Sequence, residues 1–145
     1  MVPGLIASAG ALIVATTLGL VWQRRNGRIS QVSTQGELSA VPAASALTQA
    51  DIGVVLGSRA TLVQFSSAFC APCRATRRVL SDVAGMLDGV AHVEIDAESR
   101  LDLVRKLDVR RTPTTLVLGP DGQVTHRASG QPRKADVIAA LGPVL

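Results

Sequence analysis

The chain has 145 residues, enough for one ordinary domain with accessory segments. Its formal net charge is +4, of which Arg24, Arg25 and Arg28 supply three, so residues 29–145 are nearly neutral with twelve basic and eleven acidic side chains. The chain has two Phe, one Trp and no Tyr, so no aromatic side chains are interleaved with basic ones. This composition argues against a nucleic-acid-binding protein.

An uncharged apolar stretch opens the chain and runs from Val2 to Trp22. These twenty-one residues would form a helix about 31 Å long, close to the roughly 30 Å of bilayer hydrocarbon. Trp22 stands where interfacial aromatic residues are common, and the three arginines follow it. We therefore predict one transmembrane helix, with residues 1–28 as the membrane anchor and its basic flank.

The charge asymmetry around this segment predicts a single-pass membrane protein whose domain faces the cytoplasm. Two alternatives stay open. A cleaved signal peptide would need basic residues before the apolar run, which this chain lacks, and its nearest small-residue cleavage pattern, 44–46, lies far beyond the span. The opposite orientation, with the domain outside the cytoplasm, is the second.

Residues 29–48 are mostly Ser, Gln, Ala, Gly and Pro, with almost no charge and no sustained period. Such a composition is typical of a flexible linker. Twenty residues of this kind would have an end-to-end distance of about 25 Å. We therefore predict that a domain over residues 49–145 stays near the membrane.

Both cysteines of the chain lie in the segment Phe69-Cys70-Ala71-Pro72-Cys73-Arg74. A short β-prone run, 61–65, precedes it, and apolar residues at helical spacing follow it from Val79 to Leu87. The cysteines are thus predicted where a strand leads into a helix. The unpaired amides and the dipole at a helix N-terminus favour a thiolate over a thiol.

A Cys-x-x-Cys pair can also be half of a metal site or two inert core residues. Zinc would need two more ligands, and only the isolated His92 and His126 remain, so we expect no metal. An inert core pair is disfavoured because Pro72 and the arginines after it do not suit a packed interior. Redox use is the favoured interpretation.

The remaining pattern alternates between helices and strands. We predict helices over 49–57 and 99–107, strands over 61–66 and 90–96, a hairpin of 114–118 and 123–127 around Gly119–Gly122, and a last helix opened by Pro132. The apolar residues predicted to face the core are Ile52, Val55 and Leu56, then Leu101, Val104 and Leu107, and finally Val137, Ile138 and Leu141.

The cysteine segment resembles the active-site region of the thioredoxin family, in which a hydrophobic strand leads into Cys-x-Pro-Cys-Arg/Lys at a helix start. Thr112-Pro113 resembles a second mark of that family, a proline with a cis peptide bond that opens a strand beside the cysteines. The resemblance covers about 47–145. It implies an α/β thioredoxin-like fold, a central mixed β-sheet flanked by helices, here preceded by one N-terminal transmembrane helix.

The resemblance also implies roles for single residues. Cys70 would be the attacking thiolate and Cys73 the resolving thiol, with no cofactor beyond the Cys70–Cys73 disulfide. The positions implied to contact an extended substrate segment are Phe69, Thr112, Pro113 and Gly130. The positions implied to tune the site are Ala71, Pro72 and Arg74.

Several positions depart from the family pattern. Gln64 stands where thioredoxins usually have a buried aspartate, and it cannot act as a base. His92 falls near the position of the lysine that partners this aspartate. Phe69 and Ala71 replace the usual tryptophan and glycine. These changes favour a specialised relative over a general-purpose thioredoxin.

The sequence therefore predicts a membrane-anchored thiol–disulfide oxidoreductase that acts on protein disulfides with an unidentified electron partner. A cytoplasmic domain favours the reducing direction. One alternative is an extracytoplasmic reductase or oxidase similar to the anchored thioredoxin-like proteins of cytochrome c maturation. The other is a non-catalytic adaptor with the same fold.

Overall fold

The computed structural model describes residues 12–21, 29–31 and 46–144. Residues 12–21 are helical (α1). The later elements are β1 (Ile29–Gln31), α2 (Gln49–Ile52), β2 (Ala60–Ser66), α3 (Ala71–Met86), β3 (Val90–Asp96), α4 (Leu101–Lys106), β4 (Thr114–Leu118), β5 (Val124–Ser129), α5 (Lys134–Leu141) and a final 3-10 turn, Gly142–Val144.

The strands form one mixed sheet in the order β1-β5-β4-β2-β3. β2 and β3 are parallel, whereas β4 pairs antiparallel with both β2 and β5, and β1 pairs antiparallel with β5. Every residue of β2 is buried, as expected for a central strand covered on both faces. The predicted α/β architecture with a mixed sheet flanked by helices is confirmed.

Alternation along β2 divides the core into two clusters, one on each face of the sheet. Val63 and Phe65 belong to the cluster that holds Ile52 of α2 and Leu103 of α4. On the opposite face, Leu62 packs with residues of α3 and α5, namely Leu80, Val83, Val137 and Leu141. The helix that begins at the cysteines therefore covers one face of the central strand.

The predicted helix over 49–57 is shorter than expected. Thr48 and Asp51 form a capping box at its start, and Gly53, with φ of 78°, ends it after Ile52. As a result Ile52 is buried, but Val55 lies beyond the helix and its side chain is 70% exposed. The prediction that Val55 faces the core is wrong.

Two other helices differ from their predicted apolar stripes. At α4, Leu107 is buried and Val104 packs against the core as predicted, but the side chain of Leu101 is 50% exposed at the first position of the helix, and the buried residue of the first turn is Leu103. α5 begins at Lys134 rather than at Pro132. Val137 and Leu141 are buried as predicted, but Ile138 is partly exposed.

The start of the predicted linker is an edge strand. Ile29–Gln31 pairs with β5, and Ile29 packs against the core cluster on the α3 and α5 face. The linker prediction is thus wrong for residues 29–31, because pairing with a sheet edge overrides a weak local pattern. It is also wrong near residue 48, because Leu47 is buried in the core and its N–H donates to Gly122 O. The next part of that prediction, residues 32–45, lies outside the described residues.

Of the predicted membrane span, 2–22, the structure describes residues 12–21, which are helical, and the rest of that prediction lies outside the described residues. Among the residues that the structure describes, no helix has both the length and the apolar character needed to cross a bilayer.

The β4–β5 turn cannot accept a side chain at Gly122. Its φ is 77°, and a Cβ at this position would overlap the carbonyl oxygen of Leu47. The Leu47 N–H also donates a hydrogen bond to the Gly122 carbonyl oxygen, so the two segments cannot move apart without losing it. We expect Gly122→Ala to lower the free energy of unfolding by about 3 kcal/mol in urea titrations. Gly85→Ala in α3, where no atom lies within 4 Å of the added Cβ, is the control and should stabilise by about 0.5 kcal/mol. Equal effects of the two changes would contradict this account.

Candidate active site

The two cysteines stand at the start of α3, as predicted. Cys70 is the N-cap residue, Pro72 lies in the first turn, and the Cys73 N–H donates to Cys70 Sγ at 3.2 Å. The two sulfurs are joined in a disulfide. The first turn accepts Pro72 because its missing N–H would have had no partner inside the helix. The Cys73 amide in the first turn of α3 thus points at the sulfur that would carry negative charge.

The two sulfurs differ in access. Cys73 is 2% exposed, whereas Cys70 is only half-buried. Phe69, directly before Cys70, is fully exposed and has a positive φ of 57°, a conformation unusual for a residue with a side chain. Cys70 is therefore the cysteine that a molecule in solution can reach, whereas Cys73 is enclosed by the protein.

The loop before β4, which contains Thr112 and Pro113, lies at the same end of the sheet as the cysteines. The Thr112–Pro113 peptide bond is cis, as predicted. The hydroxyls of Ser67 and Thr112 are 2.8 Å apart, which links the loop after β2 to the loop before β4. The Gly130 N–H donates to Pro113 O at 2.7 Å, and Gly130 has φ of 98°. Thr112, Pro113 and Gly130 are thus brought to the same end of the sheet as the cysteines.

A hydrogen-bonded network that the sequence did not reveal lies under the cysteine helix. The fully buried Gln64 donates from Nε2 to Cys73 O at 2.9 Å and to Ser66 Oγ at 2.8 Å. Ser66 Oγ donates to Glu94 Oε1 at 2.6 Å, and Glu94 also forms an ion pair with Arg77. The sequence did contain one signal for this network, because Gln64 and Ser66 are polar, two residues apart and therefore on the same face of β2, the face covered by α3.

His92 is not part of this network. It lies opposite Leu62, whereas Glu94 is the residue opposite Gln64 on the adjacent strand. His92 Nδ1 is 3.0 Å from Ser81 Oγ. Burial lowers the pKa of His92, the nearby Arg77 lowers it further, and the Glu94 carboxylate partly opposes this. His92 is therefore a neutral imidazole packed against α3 at neutral pH.

The arginines near the site have separate tasks. Arg77 is engaged by Glu94, and Arg110 forms an ion pair with Asp108. Arg111 donates from Nη2 to Ser129 O at 2.8 Å and so supports the loop that contains Gly130. Arg74 and Ala71 are exposed on the first turn of α3. Of the arginines in this part of the fold, Arg74 is the one placed on the cysteine turn itself.

The described residues contain no group of three or more His, Cys, Asp or Glu side chains arranged to hold a metal ion.

Comparisons with known proteins agree with this geometry. A family model described as thioredoxin matches residues 46–142. The thioredoxin of Staphylococcus epidermidis is 30% identical over 96 residues, which cover 66% of this chain and 91% of that protein. The chloroplastic thioredoxin M3 of Oryza sativa subsp. japonica is 26% identical over 89 residues, 61% of this chain, and the chain spans only 50% of that relative's length. The crystal structure of chloroplastic thioredoxin z is similar with a TM-score of 0.54 at 27% identity, covering 60% of this chain and 79% of that one.

The buried imidazole predicts how stability depends on pH. The unfolded chain binds a proton at His92 near the ordinary pKa of about 6.5, while the folded chain binds it only at lower pH. The contribution of the neutral His92 imidazole to the stability of the fold is therefore complete above about pH 6.5 and is lost as the pH falls below that value. When the pH is lowered from about 7.5 to about 5.5, the free energy of unfolding measured in urea titrations should fall less in His92→Gln than in the wild type.

His126 should leave a residual pH dependence in the variant, since burial also lowers its pKa. An identical pH dependence in wild type and His92→Gln would contradict the assignment.

Proposed function

The chain belongs to the thioredoxin family, and we propose that it acts as a membrane-anchored reductase of protein disulfides. As a member of that family with a Cys70–Cys73 pair, it is a thiol–disulfide oxidoreductase. The observation that carries the assignment is the difference in access between the two sulfurs, one half-buried at the tip of α3 and the other enclosed behind it.

The proposed reaction begins with the reduced dithiol. The Cys70 thiolate attacks one sulfur of the substrate disulfide, forms a mixed disulfide and releases the other substrate sulfur as a thiolate that takes up a proton. Cys73 then loses its proton and attacks Cys70 Sγ, which releases the second substrate thiol. Two electrons pass to the substrate, and the chain is left with the Cys70–Cys73 disulfide that the structure contains. A dithiol donor must reduce it again.

The substrate would approach along the loop formed by Thr112, Pro113 and Gly130. These residues lie at the same end of the sheet as the cysteine turn, and Phe69 directly before Cys70 is fully exposed there. An extended segment could pair with the backbone at Thr112 in the manner of an added strand. Ala71, Pro72 and Arg74 would influence how strongly the pair accepts electrons, because they occupy the first turn from which Cys70 projects.

The membrane anchor and the reducing direction are supported by the sequence at the N-terminus. The uncharged run 2–22 has the length of a bilayer span, and the arginines after it favour a cytoplasmic position for everything that follows. Cytoplasmic thiol pools keep such dithiols reduced. A reductase held at the inner face of a membrane is the function that fits these features together.

Catalysis is tested by insulin reduction with dithiothreitol as the electron source. We expect Cys70→Ser to bring the rate down to the uncatalysed background, and Cys73→Ser to slow and accumulate as a mixed disulfide with insulin, since the internal resolving sulfur is missing and only dithiothreitol can release the substrate. Cys73→Ser is the matched control, because it keeps the accessible sulfur. Equal rates for wild type and Cys70→Ser would instead support the adaptor alternative.

The direction is read from the redox potential of the same pair. A value near the roughly −270 mV of thioredoxin supports a reductase, whereas one near the roughly −120 mV of a strong periplasmic oxidant contradicts it.

The anchor is tested by membrane fractionation. We expect the full chain to stay in the membrane pellet after alkaline carbonate extraction, and a variant lacking residues 2–22 to move to the supernatant, because only the full chain carries the apolar run. A reporter fused after Leu145 should be active in the cytoplasm. Release of the full chain by carbonate would refute the anchor, and an extracytoplasmic reporter signal would refute the orientation.

A further inference from the structure

The chain enters the sheet at one particular end. β1 runs antiparallel to β5, so that Ile29 lies opposite Ala128 and Gln31 lies opposite His126. β5 finishes at Ser129, which means that the first residue of β1 meets the last part of β5. The covalent connection to residues 1–28 therefore leaves from the end of the sheet at which β5 stops.

This is also the end that carries the dithiol. Ser129 pairs with Thr114 at the start of β4, and Thr114 pairs with Phe65 near the end of β2, four residues before Phe69 and the cysteine turn. Gly130 follows Ser129 and donates to Pro113 O. β1 and β2 are separated by three strand spacings, about 14 Å. The entry point of the chain and the two cysteines thus lie at the same end of the sheet.

The entry strand is held in place by more than its backbone. Ile29 packs against the core cluster that includes Val137, Ala140 and Leu141. With three backbone pairs and this apolar contact, the constrained part of the chain begins at residue 29 and not at residue 49. The stretch of chain between Trp22 and β1 then consists of the six residues 23–28.

Six residues can span at most about 20 Å when fully extended. A domain of about one hundred residues is roughly 33 Å across, from a radius of gyration of about 13 Å. The β4–β5 turn at Gly119–Gly122 lies at the opposite end of the strands from Gly130. A tether this short can hold the entry end close to the bilayer while the turn end stays far from it.

We propose that the dithiol end of the domain faces the bilayer surface, and that its substrates are disulfides of membrane proteins held close to that surface. This rests on the proposed membrane anchor. A twenty-residue flexible linker would let the dithiol point in any direction, whereas attachment at Ile29 turns Cys70 toward the membrane. Selection among substrates then comes from position, through a high effective concentration of disulfides near the bilayer.

The experiment compares two insertions in the full chain, reconstituted in vesicles that contain a phosphatidylethanolamine with a pyridyl disulfide on its headgroup. The prereduced protein transfers two electrons to that disulfide, which yields the lipid thiol and pyridine-2-thione, whose release is followed. A soluble pyridyl disulfide serves as reference and normalises for the accessible protein. One variant has a Gly/Ser insert of about twenty residues between Arg28 and Ile29, and its matched control has the same insert between Gly36 and Glu37.

The insert before Ile29 should slow reduction of the lipid-linked disulfide by about ninefold, because effective concentration falls with roughly the 3/2 power of tether length. The insert at 36–37 comes after β1 and should leave this rate within about twofold of wild type. Ile29→Asp, which places a charge against the apolar cluster and frees β1 without lengthening the chain, should behave like the first insert. All variants should reduce the soluble disulfide at the wild-type rate, which shows that they are folded.

Equal slowing by both inserts, or no slowing by the insert before Ile29, would overturn the proposal. Vesicle flotation separates this from failure of the anchor. A full chain that does not float with the vesicles refutes the membrane attachment itself, whereas a floating chain with equal effects of the two inserts refutes only the orientation.

Discussion

The hydrogen bond from Gln64 to the carbonyl oxygen of Cys73 joins the cysteine helix to the central strand, and the geometry of the site depends on it. β2 is buried along its whole length, so its side chains cannot move without disturbing both core clusters. Through Gln64 that rigidity is passed to the first turn of α3. The accessible sulfur of Cys70 and the enclosed sulfur of Cys73 are thereby kept in their unequal positions.

This contact also decides which group donates and which accepts in each hydrogen bond of the network. A carbonyl oxygen can only accept, so the Gln64 nitrogen must face Cys73 and also donate to Ser66. The Ser66 hydroxyl then donates a hydrogen bond to Glu94, whose ion-pair partner is Arg77. The negative charge is held at the margin of α3, where Glu94 is partly exposed, and an uncharged amide lies directly under Cys73. The chain thus keeps a polar support at this position without placing a carboxylate there.

Much of the site could be read from the sequence, but its supporting contacts could not. The strand before Cys70 and the helix after it have a strong local signature, the cis proline at Pro113 is implied by the family resemblance, and all three are present. The partnership of Gln64 with Glu94 depends on the register between β2 and β3, which no local pattern specifies. Val55 is exposed because Gly53 ends α2 early, and Leu101 is exposed at the first position of α4. Such boundaries of short helices are not specified by the apolar pattern.

β1 is the clearest case of tertiary structure overriding local composition. Three residues with one apolar side chain carry no periodic signal, and the segment around them has the composition of a linker. The free edge of β5 and the apolar surface beside α5 supply what the sequence lacks, namely backbone partners and a place for Ile29. Because an edge strand has one direction, its pairing decides which end of the domain the preceding chain must leave from. A short strand that contributes little burial can in this way determine where a redox site points.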